Sequence, residues 1–473
     1  MGQYAAMNHA TAFTFDYVLG DTIVALATAP VAAGVAVIRI SGPRAWEVGA
    51  SVCAALEGAH PRKVVFGTFK FGREELDEGL AVGFRAPASF TGEDVVELQG
   101  HGGRAVVQAV LDAILAHGVR MALPGEFSRR AVLNGKMDLT AAEGLADLIA
   151  AQTEVQRKQA LRQLDGALGE RFEGWRKGVM NLLAQVEAAI DFPDEELDVL
   201  AAPALTKNMH ALMADLTAAL GEQAGARVRD GIALAIVGRP NAGKSTLLNL
   251  LSGRDVAIVS DIAGTTRDVV TSVLDIGGFP VTLADTAGMR ATQDVIEAEG
   301  VRRARKQAER ADLLLVVVDS TLGEEIAEDI AEVMQPGRTL VVMSKADKVD
   351  GDFPAKVKVD EEWYPVVAAN LTEQEALKRV MPVLTRMVAE IGGEATESAL
   401  LTRQRHKAAV ELALQALGHA LAMMGRAGEG EGSVAELAAQ DLRDAASAIG
   451  SVTGRTSSED VLDVVFSTFC IGK

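Results

Sequence analysis

The sequence predicts a multidomain fold combining α/β and all-helical parts: an N-terminal α/β domain, a central α-helical bundle, and a second α/β domain inserted into that bundle. Three observations predict it. Short apolar runs of strand character fill two separate regions, one before about residue 135 and one from Gly231 to about Ile391. The regions between and after them carry apolar residues at three- and four-residue spacing, the period of a helix face. At 473 residues, 49% hydrophobic but only 4% aromatic, the chain exceeds one core, and helix packed on helix accounts for much of its burial. The expected domains are 1–135, 136–227, 228–391 and 392–473.

In the first region, VAVIRIS, KVVFGTF and EDVVELQ read as strands between Gly-rich turns, and AVVQAVLDAILAHG reads as a helix. From Leu139 to Arg227 the pattern is helical: AAEGLADLIAAQTEVQRKQALRQL, then GWRKGVMNLLAQVEAAI, which stops before the proline of DFPDEE. Beyond Gly231, the runs IALAIVG, VTLAD, LLLVVVD and TLVVMS alternate with helical stretches, as in a doubly wound parallel sheet. After Gly392 two more helical segments follow, RQRHKAAVELALQALGHALAMM and VAELAAQDLRDAASAIGSV, with GRAGEGEGS read as a loop between them. A sheet domain bracketed by helical segments is the pattern of an insertion.

Two cysteines, Cys53 and Cys470, exclude a disulfide framework and suggest a reducing compartment. Cys53 reads as an inert core thiol. The first twenty residues lack a basic start followed by an apolar run, and no segment offers ~18 uninterrupted apolar residues, so a cytoplasmic protein without a membrane span is expected. A net charge of −19 opposes broad contact with nucleic acid. The terminal FCIGK is a poor prenylation box, because Gly472 and Lys473 stand where an aliphatic and a small or apolar residue belong.

GRPNAGKS, Gly238 to Ser245, fits G-x-x-x-x-G-K-[ST] between an expected strand and an expected helix. Glycines turn backbone N–H groups toward phosphates, Lys244 reaches the outer phosphates and Ser245 suits Mg²⁺. DTAG, Asp285 to Gly288, ends the run VTLA and offers Asp285 near the metal and the Gly288 amide to the terminal phosphate. In SKAD, Asp347 can accept the paired N1–H and amine hydrogens of guanine, so GTP is the expected nucleotide and the domain reads as a Ras-like P-loop GTPase. Ser344 stands where such GTPases usually carry Asn, which predicts looser nucleotide binding. AAN, Ala368 to Asn370, weakly matches the last guanine loop. Met289 stands at the place of the Ras-type glutamine, and Asp294, Glu297 and Glu299 are all open as water-orienting residues.

SFTGEDVVELQGHGG, PGEFSRRAVLNGKMDL, EAAIDFPDEE, GRPNAGKS, IAGTTRD, DTAGMR and CIGK, in that order from about Asp21 to Lys473, closely resemble the MnmE (TrmE) family of tRNA modification GTPases. The resemblance implies a homodimeric, K⁺-dependent GTPase activated when its G domains meet. It implies an FAD-containing partner, in a heterotetramer or larger complex, and modification of the tRNA wobble uridine at C5 to aminomethyl or carboxymethylaminomethyl derivatives. The one-carbon unit comes from a tetrahydrofolate derivative (5-formyl or methylene) on a folate-binding, dimerising N-terminal domain.

By the same resemblance, the nucleotide contacts fall on Asn241, Ala242, Gly243, Lys244, Ser245 and Thr246, on Ser260, Ile262, Gly264, Thr265 and Thr266, on Asp285, Thr286, Ala287 and Gly288, and on Ser344, Lys345, Asp347, Ala368 and Ala369. Ser245 and Thr266 would hold Mg²⁺; Asn241, Ser260, Ile262 and Thr265 would hold K⁺; Glu297 would orient water. Arg39, Glu97, Lys136 and Lys473 would bind folate, with the Cys470 thiol beside the one-carbon unit. The chain departs from the family at APVAAGVAV, Ala29 to Val37, where a glycine- and arginine-rich turn is common. The competing class is a regulatory or ribosome-assembly GTPase, with RRARKQAER as its RNA patch; a P-loop kinase is disfavoured by SKAD.

Overall fold

A computed structural model of the chain describes residues 20–191, 203–221, 224–253, 257–258, 273–283, 305–306, 308–322, 326, 328–350, 352–393, 401–425, 431–456, 459–467, 469 and 471–472. The chain divides into two compact units, Met1–Ala146 with Gln163–Thr206 and Gln415–Lys473, and Asp147–Arg162 with Lys207–Leu414.

The first unit contains a six-stranded sheet built from β1 (Ile23–Leu26), β2 (Ala36–Ser41), β3 (Val65–Phe71), β4 (Glu74–Phe84), β5 (Val95–Gly100) and β6 (Arg120–Met121). Its order is β3-β4-β5-β2-β1-β6, antiparallel throughout except for β1 with β6. One face is apolar: Ile38, Ile40, Val96 and Leu98 pack with Val48, Val52, Val110 and Ile114 of the helices Ala45–Val52 and Arg104–Leu115. Alternation along a strand sends Arg39 and Glu97 to the other face. Cys53 is fully buried in the first core, and burial pushes its thiol pKa up, as an inert thiol requires.

Also in this unit, the helices Ala167–Asp191 and Glu431–Thr453 pack together. Phe172, Trp175, Val179 and Val186 of the first, and Ala438, Leu442, Ala445 and Ile449 of the second, are buried. Glu431–Gly432–Ser433, read from sequence as loop, lie within the second helix.

The helical stretch read as continuous from Ala141 to Leu164 is two helices, Leu139–Ala150 and Glu154–Leu164. The break is a capping box: Gln156 Oε1 accepts from the amides of Gln152 and Thr153, while Thr153 Oγ1 accepts from the Gln156 amide.

The second unit holds an eight-stranded sheet of β7 (Ile232–Val237), β8 (Ala257–Ile258), β9 (Val273–Ile276), β10 (Phe279–Leu283), β11 (Leu313–Asp319), β12 (Thr339–Ser344), β13 (Lys356–Val359) and β14 (Glu362–Ala368). Its order is β13-β14-β12-β11-β7-β10-β9-β8. The five strands β14, β12, β11, β7 and β10 run parallel. β11 and β12 are buried along their whole length, as strands covered on both faces must be. This arrangement brings the C-terminal ends of β7, β11 and β12 side by side, the usual place for a ligand in such a sheet.

Candidate functional site

β7 ends at Val237 and the chain turns at once into the helix Lys244–Leu251. Gly238 lies so close to β11 that a Cβ there would run into the Val317 carbonyl. Asn241 and Gly243 are left-handed, with φ of 62° and 103°, a conformation that Asn and Gly tolerate best. Buried Leu247, Leu248 and Leu251 anchor the helix, leaving Ser245 and Thr246 exposed on its first turn.

Lys244 Nζ donates to the carbonyls of Gly238 and Arg239, both at 2.8 Å. An ammonium has three hydrogens, so one is left for an anion. Burial lowers the Lys244 pKa, and a phosphate brought beside it would favour the charged form again. The helix N-terminus adds its own preference for negative charge. These features fit a triphosphate, and the exposed Ser245 hydroxyl fits one of the few protein oxygens that a phosphate-bound Mg²⁺ takes. Among the described residues no cluster of His, Cys, Asp and Glu could hold a metal by itself.

Ser344, expected among the nucleotide contacts, turns its hydroxyl to the phosphate loop. It is 1% exposed, and its Oγ donates to the Ala242 carbonyl at 2.6 Å with the Val318 carbonyl at 3.1 Å. Lys345, left-handed at φ 54°, turns its ammonium to Asp319, whose carboxyl is held below its usual pKa chiefly by that bond. Asp347 is exposed in the 3₁₀ turn Ala346–Lys348 and shares a cleft of about 730 Å³ with Ala368, Ala369 and Asn370. SKAD and AAN are thus neighbours. Asn370 itself is occupied within its own loop, accepting from Thr372 and donating to Glu373.

On the other face of the first sheet, Arg39 and Glu97 stand opposite each other on β2 and β5. Arg39 Nε and Nη2 both reach Glu97 Oε1 at 2.9 Å, and the guanidinium lies 5.3 Å and 5.7 Å from the rings of Phe90 and Phe127. Glu97 Oε2 accepts no hydrogen bond among the described residues, so it fits the donor-rich edge of a pterin. Lys136 Nζ donates to the Pro87 carbonyl, and its stem lies against Gly92, whose Cβ would crowd Asn134 and Lys136. The tail returns here: Gly472, left-handed at φ 95°, packs so tightly on Leu26 and Ala27 that a side chain would strike the Leu26 carbonyl. Phe469 packs with Phe466 and Leu139.

Two quoted motifs prove to be linked by charge. Arg130 of PGEFSRRAVL, 2% exposed, pairs with Asp21 and with Glu93 of SFTGEDVVELQ, while Arg120 pairs with Asp21 and Glu126. Phe90 and Phe127, which sequence reasoning passed over, sit inside these motifs. The departing loop Ala29–Val37 is fixed from both sides: Gly102 donates its N–H to the Ala33 carbonyl, and Val37 donates to Thr28 Oγ1.

Ser260, Ile262, Gly264, Thr265, Thr266, Asp285, Thr286, Ala287, Gly288, Glu297, Cys470 and Lys473 lie outside the described residues. So do Asp294, Glu299 and all of DTAGMR and IAGTTRD.

A left-handed glycine loop between a parallel strand and a helix, with a lysine inside it and an Asp-bearing turn at the neighbouring strand ends, defines a P-loop protein of the GTPase class. Residues 22–136 match the family described as GTP-binding protein TrmE N-terminus, and residues 139–470 match the MnmE helical domain. The tRNA modification GTPase MnmE of Caulobacter vibrioides is 47% identical over 458 residues, covering 96% of this chain and 100% of that protein. Those of Rhodospirillum rubrum and Parvibaculum lavamentivorans are each 48% identical, over 473 and 464 residues, covering 96% of this chain and 99% and 100% of theirs. The chain belongs to the MnmE family of tRNA modification GTPases.

Proposed function

We propose that this chain hydrolyses GTP and, with an FAD-containing partner, modifies C5 of the wobble uridine of certain tRNAs, working as a cytoplasmic homodimer. The observation that carries the reading is the P-loop with Lys244 seated inside it, in a chain that aligns over 96% of its length with the whole of a relative. Four segments are assigned to the work: 1–135 for folate binding and dimerisation, 136–227 and 392–473 for the helical domain, and 228–391 for GTP.

When bound, Mg²⁺ and K⁺ supply fixed positive charge beside the phosphates, and a tetrahydrofolate derivative supplies the one-carbon unit. The chain's residues do the rest. Lys244 and the loop amides bind the phosphates, Ser245 and Thr266 hold Mg²⁺, and Asn241, Ser260, Ile262 and Thr265 hold K⁺. Asp285 serves the Mg²⁺ and the Gly288 amide the terminal phosphate, Glu297 orients water, and Asp347 selects guanine. Glu97 binds the pterin edge through Oε2, Arg39 and Phe90 support it, and Lys136 and Lys473 suit the carboxylates of a glutamyl tail. Gly472 holds the tail against β1, and Cys470 supplies a thiol to the one-carbon chemistry.

The test is mass analysis of wobble uridines in tRNA from cells lacking the protein, with and without complementation. The reading requires loss of the C5 modification and its return. Unchanged uridines would refute it. Turnover should also fall at least ~10-fold when Na⁺ replaces K⁺, and again in Asn241→Ala, with GDP still bound. Equal turnover in both salts would remove the K⁺ assignment. Against the regulatory alternative stands the acidity around its basic patch, where Arg305 pairs with both Glu309 and Glu332.

A further inference from the structure

Buried Ser344 ties the end of its strand to the phosphate loop. Its single hydroxyl hydrogen lies between two carbonyls, and the shorter bond, 2.6 Å, goes to Ala242. Ser344 is in turn fixed by Ser320, whose buried Oγ donates to the Ser344 carbonyl, also at 2.6 Å. β11, β12 and the phosphate loop are thus joined through two hydroxyls. Ser320 belongs to no motif the sequence suggested, although it follows directly on the buried run LLLVVVD.

We infer that Ser320 and Ser344 form a clamp that sets the phosphate loop in its nucleotide-ready shape, leaving the choice of base to Asp347. The inference rests on the guanine-nucleotide reading of this site. The reason is geometric. A trans peptide is planar, with C=O and N–H pointing in opposite directions. Fixing the Ala242 carbonyl therefore fixes the direction of the Gly243 N–H, one of the amides of the phosphate loop. The space is matched to a small residue: a Cβ on Gly243 would lie 3.5 Å from Ser344 Cβ and 3.3 Å from Leu371. Without the hydroxyl, a buried carbonyl loses its partner, and the peptide gains by rotating toward another donor. Phosphate binding must then reverse that rotation. Every nucleotide carrying the same phosphates suffers equally, whatever its base.

The experiment measures GDP and IDP dissociation constants for the full-length protein and for Ser344→Ala, Ser344→Cys, Ser320→Ala and Asp347→Asn. Inosine lacks the exocyclic amine, so the GDP-to-IDP ratio reads Asp347. Expected are a loss of about 10-fold for both nucleotides in Ser344→Ala, a smaller loss in Ser320→Ala, and an intermediate one in Ser344→Cys, which keeps a weak donor on a somewhat larger atom. The ratio stays at the wild-type value in all three and collapses in Asp347→Asn. Melting curves separate this from unfolding: the affinity loss must persist well below the transition. A changed ratio in Ser344→Ala makes Ser344 a base reader and overturns the clamp, and so does unchanged affinity. A wild-type protein that binds GDP no better than IDP overturns the guanine reading itself.

Discussion

Glu97 has two carboxylate oxygens with different tasks. Oε1 takes both hydrogen bonds from Arg39, and Oε2 accepts nothing among the described residues. Glu97→Gln removes the charge that both would use, and charge-assisted bonds are about twice as strong as neutral ones. Calorimetry with a tetrahydrofolate derivative should register a loss of ~10- to 100-fold, while GTP turnover, which draws on none of these atoms, is unaltered. Undiminished affinity would take Glu97 out of the folate site. Gly472 offers a second handle on the same face. With φ at 95° and the Leu26 carbonyl against its Cα, Gly472→Ala is strained twice over. The tail should lift from β1, and tRNA modification should fall by ~10-fold or more with GTP hydrolysis spared. Cys470→Ser should give the same split. A variant with both activities intact would show that the tail has no part in the chemistry.

At the scale of elements, the helix Glu154–Leu164 is placed by its first turn. Its Val155 amide donates to the Gly278 carbonyl at the tip of the β9–β10 hairpin, and Gln156 Nε2 donates to the Arg229 carbonyl. The capping box at Thr153 fixes that turn, so Thr153→Ala should cost about 1 kcal/mol, read as a lower denaturation midpoint with an unchanged slope. No shift in midpoint would mean that the turn is held by packing alone. The box is also where sequence reading fell short. Thr153-Glu-Val-Gln156 is a plain S/T-x-x-E/Q signal, but it was masked by helical periodicity running across it on both sides. The parallel strands were legible because burial on both faces leaves continuous apolar runs, as in LLLVVVD and TLVVMS. β4 was not, because EELDEGLAVGF is polar over its first half, where it pairs with β3 at the sheet edge. In the nucleotide site, Lys244 and the turns at Asn241 and Gly243 followed from local sequence. The clamp did not, since Ser320, Ser344 and Ala242 meet only when three separate strand ends are aligned.

For the molecule as a whole, charge constrains how tRNA can be held. A net charge of −19 lies on a chain whose relatives are named for tRNA modification. Several arginines are paired with acids: Arg39 with Glu97, Arg305 with Glu309 and Glu332, Arg443 with Glu187, and Arg455 with Glu173. Each phosphate neutralised by a cation releases counterions, so the slope of log affinity against log salt counts the contacts. At physiological salt the screening length is ~8 Å, and distant acidic residues cannot repel an approaching RNA strongly, whereas those at the contact can. The chain alone should therefore bind tRNA weakly, with a slope no steeper than about −3, and the slope should steepen once the proposed FAD-containing partner is present. Filter binding or fluorescence anisotropy across a salt series, with and without partner, reads both. A slope near −6 for the chain by itself would require a basic surface of its own, and would transfer tRNA recognition from the complex to this subunit.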